Sequence, residues 1–346
     1  MLAGSRAMLG LRRKHRVRAV AADRIQLLNE TILPQHPPLP SPHLPFVELG
    51  RLGRQEWWRV AVVCVLIPVI SPMLGTVLDV FLDRLLPGYE SAIHNHEASG
   101  WGTDYPLWLG VLAFSRRFLG IALWLPTALI LVQLVHRRPW QSLIVASNGF
   151  AWRSFFASLV AALAVFGVLR VLRPEDVHIV FDGWQFAAFL APLLLLVPAQ
   201  TLAEEVVFRG YVLQCVAAVT GNITLRLAIP SVLFAAAHLP NVFTTAGLWV
   251  FVHHLVFAVY VTFLVMRWNG LAHAWGFHLG WNWLLTAIVP AEHVHEPRPV
   301  ILAFDQTRAD SGFLAGILFM AGCAAHYWLT KYLVERHGAR PGGQGS

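Results

Sequence analysis

Hydrophobic residues fall into long blocks along this chain, and most charged residues lie between the blocks. A helix of about 17–25 apolar residues, rising 1.5 Å per residue, is long enough to cross the ~30 Å hydrocarbon layer of a bilayer. The pattern therefore predicts an all-α membrane protein with about eight transmembrane helices. The predicted spans cover residues 60–82, 107–135, 154–171, 186–208, 223–239, 248–266, 271–290 and 312–330.

The overall composition agrees with this fold class. Of the 346 residues, 56% are hydrophobic and 13% are charged, whereas a soluble domain carries about 25% charged residues. An ordinary soluble fold is therefore excluded.

The formal charge of +7 is distributed in the way that sets membrane topology. Lys and Arg flank alternate apolar blocks, while acidic residues such as Glu90 and Asp104 lie in the other loops. Because positive residues stay on the cytosolic side, we expect both termini to be cytosolic in a multi-pass protein of the plasma membrane. The expected partner is the lipid bilayer, and no nucleic-acid partner is expected.

A first group of polar residues lies at the end of the fourth predicted span. Glu204 and Glu205 are followed by Arg209, and ionisable groups within a span are costly and usually mark function. On a helix Glu205 and Arg209 are i,i+4 neighbours that can form an ion pair. Glu204 points about 100° away and stays free of that pair. An ordinary cluster of charges at a helix end is the structural alternative.

Two further groups lie in the fifth and seventh predicted spans. Phe234 and His238 form one i,i+4 pair, and His278 and Asn282 form another, so each pair shares one helix face. Taken alone, each pair also fits hydrogen bonding that holds a helix bundle together. Three groups in three helices together provide what peptide hydrolysis by water requires. These are a carboxylate base, a His that orients water, and a His/Asn pair that donates hydrogen bonds to an oxyanion.

These three motifs resemble a known family of intramembrane proteases. Glu204-Glu205-x-x-x-Arg209, Phe234-x-x-x-His238 and His278-x-x-x-Asn282 are similar, in this order, to the signature motifs of the CAAX protease and bacteriocin-processing (CPBP/Abi) family. The resemblance covers residues ~185–290. It implies eight helices around an intramembrane cavity that opens to the membrane and the cytosol. It also implies an endopeptidase acting on a membrane-associated or lipidated peptide or protein.

The resemblance further implies a role for each motif residue. Glu204 and His238 would activate water, while His278 and Asn282 would form the oxyanion hole. Glu205, Arg209 and Phe234 would support them.

The domain organisation follows from the spans and the resemblance. Residues 1–57 are expected to be a disordered cytosolic arm, since six prolines lie between Leu33 and Pro45 and exclude helix there. Residues 58–180 hold N-terminal transmembrane helices and an interfacial segment. Residues 181–292 form the catalytic core, and residues 293–346 form the last span and a cytosolic tail.

The need for a metal is left open by the residue types. A Glu and two His are zinc ligands by type, but the sequence contains no HExxH motif, and the implied roles use no metal. We therefore expect no cofactor and keep zinc as an alternative. His253 and His254, in the sixth span, are interpreted as packing residues.

Two other functions use the same intramembrane polar groups. A non-catalytic membrane-binding or immunity protein would hold its ligand in the same cavity. A transporter or channel would instead string polar residues across the whole bilayer.

The catalytic hypothesis makes a geometric prediction. The side-chain tips of Glu204, His238 and His278 should lie within ~8 Å of one another, near the cytosolic leaflet, to share one water. If the fourth span ends near residue 208, His238 would lie too deep in a fifth helix that begins at residue 223. The fifth helix should therefore begin near Pro230 or tilt strongly.

Overall fold

The architecture was established from a computed structural model of the chain. It describes residues 44–102, 105–146, 149–172, 177–239, 247–305 and 312–338. Most of the expected N-terminal arm, residues 1–43, lies outside the described residues. Within the rest of that arm, Phe46–Arg51 form a turn of 3-10 helix whose Phe46 and Leu49 side chains are buried.

Helices dominate the described part of the chain, and three short strands accompany them. The helices are α1 (Trp57–Leu85), α2 (Tyr89–Ser99), α3 (Leu107–Ala122), α4 (Trp124–Val135), α5 (Trp152–Val171), α6 (Gly183–Glu205), α7 (Leu213–Val219), α8 (Ile223–Ala237), α9 (Gly247–Trp268), α10 (Ala272–Ala287) and α11 (Gly312–Gly338). The strands are β1 (Val177–Ile179), β2 (Ile288–Pro290) and β3 (Leu302–Phe304).

Among the described residues, five helical segments are long and apolar enough to cross a membrane. They are Trp57–Leu85, Leu107–Val135, Trp152–Val171, Gly183–Val219 and Val250–Trp268. The chain is thus a multi-pass, mainly helical membrane protein, as the hydrophobic pattern predicts. The count of eight spans is not confirmed, because α8 is apolar but shorter than a full span.

The fourth predicted span extends further than residue 208. Helix α6 continues through a π-helical segment, Val206–Val212, into α7, so one helical stretch runs over Gly183–Val219. The charges of the first motif lie inside this stretch, with Glu204 4% and Arg209 0% exposed. They are buried in the bundle, where Glu205 pairs with Arg209 and Glu204 contacts His278. They do not end the helix, so the predicted end of the span was wrong.

The fifth predicted helix begins at Ile223, so a start near Pro230 was also wrong. The Asn222 side chain caps it by accepting hydrogen bonds from the backbone N–H groups of Thr224 and Leu225. Pro230 lies inside the helix, where it lacks the N–H that would bond one turn back.

The corrected helix bounds remove the expected difference in depth between Glu204 and His238. Glu204 lies about fifteen residues before the end of α7, and His238 lies about fifteen residues after the start of α8, or ~22 Å on each side at 1.5 Å per residue. Because α7 and α8 are joined by a short turn, both side chains are deep in the bundle at matching levels. Glu204 was expected near the end of the fourth helix, but it lies well inside the helical stretch Gly183–Val219.

Helix α10 has a packing face and a polar face. Gly276 and Gly280 are one turn apart, and a Cβ atom at Gly276 would lie 2.3 Å from the backbone oxygen of Phe155 on α5. Such a small-residue face lets two helices approach closely. The same helix carries His278 and Asn282, which face α6.

The close approach at Gly276 should make a larger side chain there strongly destabilising. We expect Gly276→Val to lower the free energy of unfolding by about 1–3 kcal/mol or more, because the added atoms meet backbone that cannot move aside. Thermal unfolding of the purified protein in detergent measures the change. Gly120→Val is the matched control, since a Cβ at Gly120 meets nothing within 4 Å. Equal stability of the two variants would contradict the packing argument.

The three strands form one small sheet in the order β1-β3-β2. Strand β1 runs antiparallel to β3, and β2 runs parallel to it. The sheet lies next to the start of α6 and the end of α10 in sequence. It therefore defines a sheet end of the bundle, opposite the turn between α7 and α8.

Candidate active site

A continuous chain of hydrogen bonds joins α6 and α10 in the middle of the bundle. The Asn282 amide nitrogen donates to Gln200 Oε1 at 3.0 Å, and Gln200 Nε2 donates to Glu204 Oε1 at 2.7 Å. Gln200 and Glu204 are i,i+4 neighbours on α6, so both face Asn282. The first and third sequence motifs are thus linked through a residue that belongs to neither.

His278 lies between the two adjacent carboxylates. Its Nδ1 is 2.7 Å from Glu205 Oε1, and its Nε2 is 3.3 Å from Glu204 Oε2. All three side chains are nearly or fully buried, with His278 only 3% exposed. The imidazole therefore bridges two carboxylates that point to different sides of α6.

Arg209 forms the predicted ion pair with Glu205 on the far side of the site. Its Nη1 is 3.0 Å from Glu205 Oε1, and both side chains are 0% exposed. The remaining guanidinium nitrogens donate to Thr262 Oγ1 at 3.4 Å and to the backbone oxygen of Ala258 at 3.3 Å, both on α9. The cation is thus fixed between α9 and the π-helical segment.

His238 approaches the site from the other side of Phe234. The Phe234 ring lies 4.6 Å from the His238 ring and 6.1 Å from the His278 ring, centre to centre, and 4.5 Å from the Arg209 guanidinium. His238 Nδ1 is 2.8 Å from the Phe234 carbonyl oxygen. Since a carbonyl only accepts, Nδ1 carries the proton, and in the neutral ring Nε2 is left as an acceptor.

His254 of α9 stacks on His238, with ring centres 4.2 Å apart and planes at 26°. Its Nδ1 is 2.6 Å from the Val250 carbonyl oxygen, so its ring is held by its own helix as His238 is held by α8. The packing role expected for His254 is present, but its packing partner is a motif residue.

The structure thus brings together the polar residues singled out in the sequence. Five of them share one hydrogen-bonded network, namely Glu204, Glu205, Arg209, His278 and Asn282. His238 joins that network by ring packing through Phe234. Sequence reasoning missed Gln200, although its position one turn before Glu204 was a usable signal. It also undervalued His254.

The charges of the network balance in only a few ways. Glu205 and Arg209 neutralise each other, which leaves Glu204 and His278. A low-dielectric interior favours no net charge, so this second pair should hold one extra proton between Glu204 Oε2 and His278 Nε2. If the extra proton is on His278, an ionised Glu204 lies beside an imidazolium. If it is on Glu204, both groups are neutral.

The residues were also tested as a metal site. Within the described ranges, no group of three or more His, Cys, Asp or Glu side chains is arranged to hold a metal ion. His278, a zinc ligand by type, has both ring nitrogens turned to carboxylates. The described residues therefore do not support a metalloprotease.

Comparisons with known proteins show similarity over the central part of the chain. Residues 183–284 match the family described as type II CAAX prenyl endopeptidase Rce1-like. A protein of Bacillus subtilis (strain 168), described as uncharacterized protein YyaK, is 28% identical over 171 residues. That alignment covers 48% of this chain and 57% of the relative, so the chain spans little more than half of the relative's length. No solved structure matches the chain.

Proposed function

We propose that the protein is an intramembrane endopeptidase, because residues 183–284 match the Rce1-like family. It hydrolyses a peptide bond of a membrane-associated or lipidated substrate by attack of water. The observation that carries this proposal is the buried pair of Glu204 and His278, 3.3 Å apart, within a network that ends on Asn282.

Glu204 is the proposed general base. In the state with an ionised Glu204 and a protonated His278, the carboxylate takes one proton from water, and the water oxygen forms a bond to the carbonyl carbon. When the C–N bond breaks, the same proton passes from Glu204 to the leaving amine nitrogen. The charge of the network is unchanged over the whole cycle, so no uncompensated charge is left in the membrane.

His278 and Asn282 are the proposed donors to the oxyanion. The contact of His278 with Glu204, at 3.3 Å, is longer than its contact with Glu205, at 2.7 Å. Nε2 is therefore the nitrogen that can turn to a substrate oxygen while Nδ1 stays bound to Glu205. A fixed donor of this kind stabilises negative charge that appears only in the transition state.

His238 is proposed to orient the attacking water. Its proton on Nδ1 is held by the Phe234 carbonyl, which leaves Nε2 to accept a hydrogen bond from water. Stacking on His254 restricts rotation of the ring. A water held in this way is placed before the reaction starts, which is the main benefit of positioning.

The proposal is tested by incubating the purified chain in detergent with a peptide library and reading new termini by mass spectrometry. We expect cleavage at defined peptide bonds by the native protein and none by a Glu204→Gln variant of equal stability. Specific retention of peptides without cleavage would replace the enzyme with the binding-protein alternative.

Gln200 connects the proposed base to the proposed oxyanion donor. We expect Gln200→Leu to lower kcat roughly ten- to a hundredfold with little change in KM, because Glu204 and Asn282 both lose the partner that aims them. Gln185→Leu, near the start of the same helix, is the control, because Gln185 lies far from the network. Unchanged kcat for Gln200→Leu would remove Gln200 from the site.

A further inference from the structure

A cavity lies at the sheet end of the bundle and reaches the site through Asn282. It has a volume of about 350 Å³ and lies between α3, α10 and the segment that precedes β3. Asn282 and Thr286, one turn apart on α10, both line it. Asn282 thus has one side in the hydrogen-bonded network and another at this cavity.

Two arginines give the cavity an excess of positive charge. Arg117 of α3 is exposed, and Arg298 has an 18% exposed side chain that pairs with Glu296. Within the described part of the chain, Arg117 has no acidic group within 4.0 Å. Burial lowers the pKa of Arg298, Glu296 opposes the shift, and nearby Arg117 lowers the pKa further. The two guanidinium groups therefore repel each other across the cavity, and an anion between them would relieve the repulsion.

The other walls of the cavity are apolar. Phe114 and Phe118 of α3 and Leu285 of α10 line it, together with Pro297. A ligand that fits these surfaces combines an apolar body with one anionic group. A guanidinium binds a carboxylate with two parallel hydrogen bonds, which suits the arginines to this anion.

We propose that this cavity is a carboxylate-binding subsite for the end of the substrate peptide that leaves after cleavage. The proposal rests on the proposed function, because the peptide must pass Asn282 to enter the cavity. Arg117 and Arg298 would hold the carboxylate, and the apolar walls would hold the side chain beside it. Both arginines lie outside the segment matched by the family, so the family match does not assign this subsite.

A peptide can offer a carboxylate at its C-terminus or on an acidic side chain, and a set of probes separates these two sources. The probes are a fluorescein-labelled peptide of four apolar residues as the free acid, the same peptide as its C-terminal amide, and an amide with glutamate in the last position. Binding to the full chain in detergent is measured by fluorescence anisotropy. A Glu204→Gln background keeps the probes intact if the native protein cleaves them.

We expect the free acid to bind roughly tenfold more tightly than the amide, the effect of one charge-assisted contact. Arg117→Gln should remove this preference, and Arg117→Lys should keep part of it. Arg117 is the better position to vary, because loss of Arg298 would also leave Glu296 without its partner. Arg84→Gln, which removes an exposed arginine outside the cavity, should keep the full preference.

The outcomes test the carboxylate subsite separately from the proposed endopeptidase activity. Tight binding of the free acid alone assigns the terminal carboxylate, and equal binding of the glutamate amide extends the subsite to side-chain carboxylates. Equal binding of acid and amide by the native chain, or a preference that Arg117→Gln leaves intact, overturns the proposal. Because binding is read without turnover, a protein that never cleaves a peptide but prefers the acid would refute the proposed enzyme and keep the subsite.

Discussion

Glu204→Gln is expected to leave a folded protein that has lost peptide hydrolysis by about a hundredfold to ten-thousandfold, the usual contribution of a general base. The amide keeps the shape of the carboxylate, and its oxygen still accepts the hydrogen bond that Gln200 donates. It cannot take a proton from water. The loss should therefore appear in kcat, while binding of the substrate stays near its native value.

Rates of new-terminus formation and thermal unfolding of the same preparations together test this expectation. Glu97→Gln, an exposed carboxylate on α2, is the matched control and should retain full activity. A protein that loses both activity and stability would show that Glu204 is a structural residue. If Glu204→Gln stays active and a folded Glu205→Gln has no activity, Glu205 is the general base and Glu204 the structural residue.

Local spacing predicted the parts of the site that depend on one helix. The i,i+4 relation of Glu205 and Arg209 predicted an ion pair, and the pair is present at 3.0 Å. The three motifs also predicted the resemblance to a family of intramembrane proteases, and the match of residues 183–284 to the Rce1-like family agrees with it. The ion pair follows from residue type and helical geometry, and the family from the resemblance of the three motifs.

Helix ends were predicted less well, because charged residues in a membrane helix occur both at its ends and in buried pairs. Glu204, Glu205 and Arg209 suggested the end of a span, but buried pairing allows the same charges deep inside the bundle. The helix continues past these charges through the π-helical segment Val206–Val212. Within that segment Gly210 packs against the Leu143 backbone, where a Cβ atom would lie 2.3 Å from the Leu143 oxygen. Such an approach is set by tertiary packing and has no local signal.

The partners of the motif residues depend on contacts between helices. Spacing along α6 makes Gln200 a neighbour of Glu204, but its second hydrogen bond, to Asn282, exists only because α10 packs against α6. His254 is a similar case, since a histidine in an apolar helix carries no mark of the ring it stacks on. Sequence therefore identifies the reactive groups better than the residues that orient them.

Arg209→Met is expected to produce the largest loss of stability, about 3–5 kcal/mol, because it removes one partner of a fully buried ion pair. Glu205 would keep its charge, and only the hydrogen bond to His278 would remain to satisfy it. One of its oxygens, Oε2, already has no partner among the described residues. The loss should be visible as a lower thermal midpoint in detergent and a smaller folded fraction after purification.

A double variant separates the charge from the packing. If the uncompensated charge of Glu205 causes the loss, Glu205→Gln combined with Arg209→Met should be more stable than Arg209→Met alone, since no charge is then left without a partner. Arg84→Met, at an exposed position, should leave the midpoint unchanged. Additive losses in the double variant would instead mean that Arg209 stabilises the bundle through its contacts with α9 and Phe234, and that the ion pair itself contributes little.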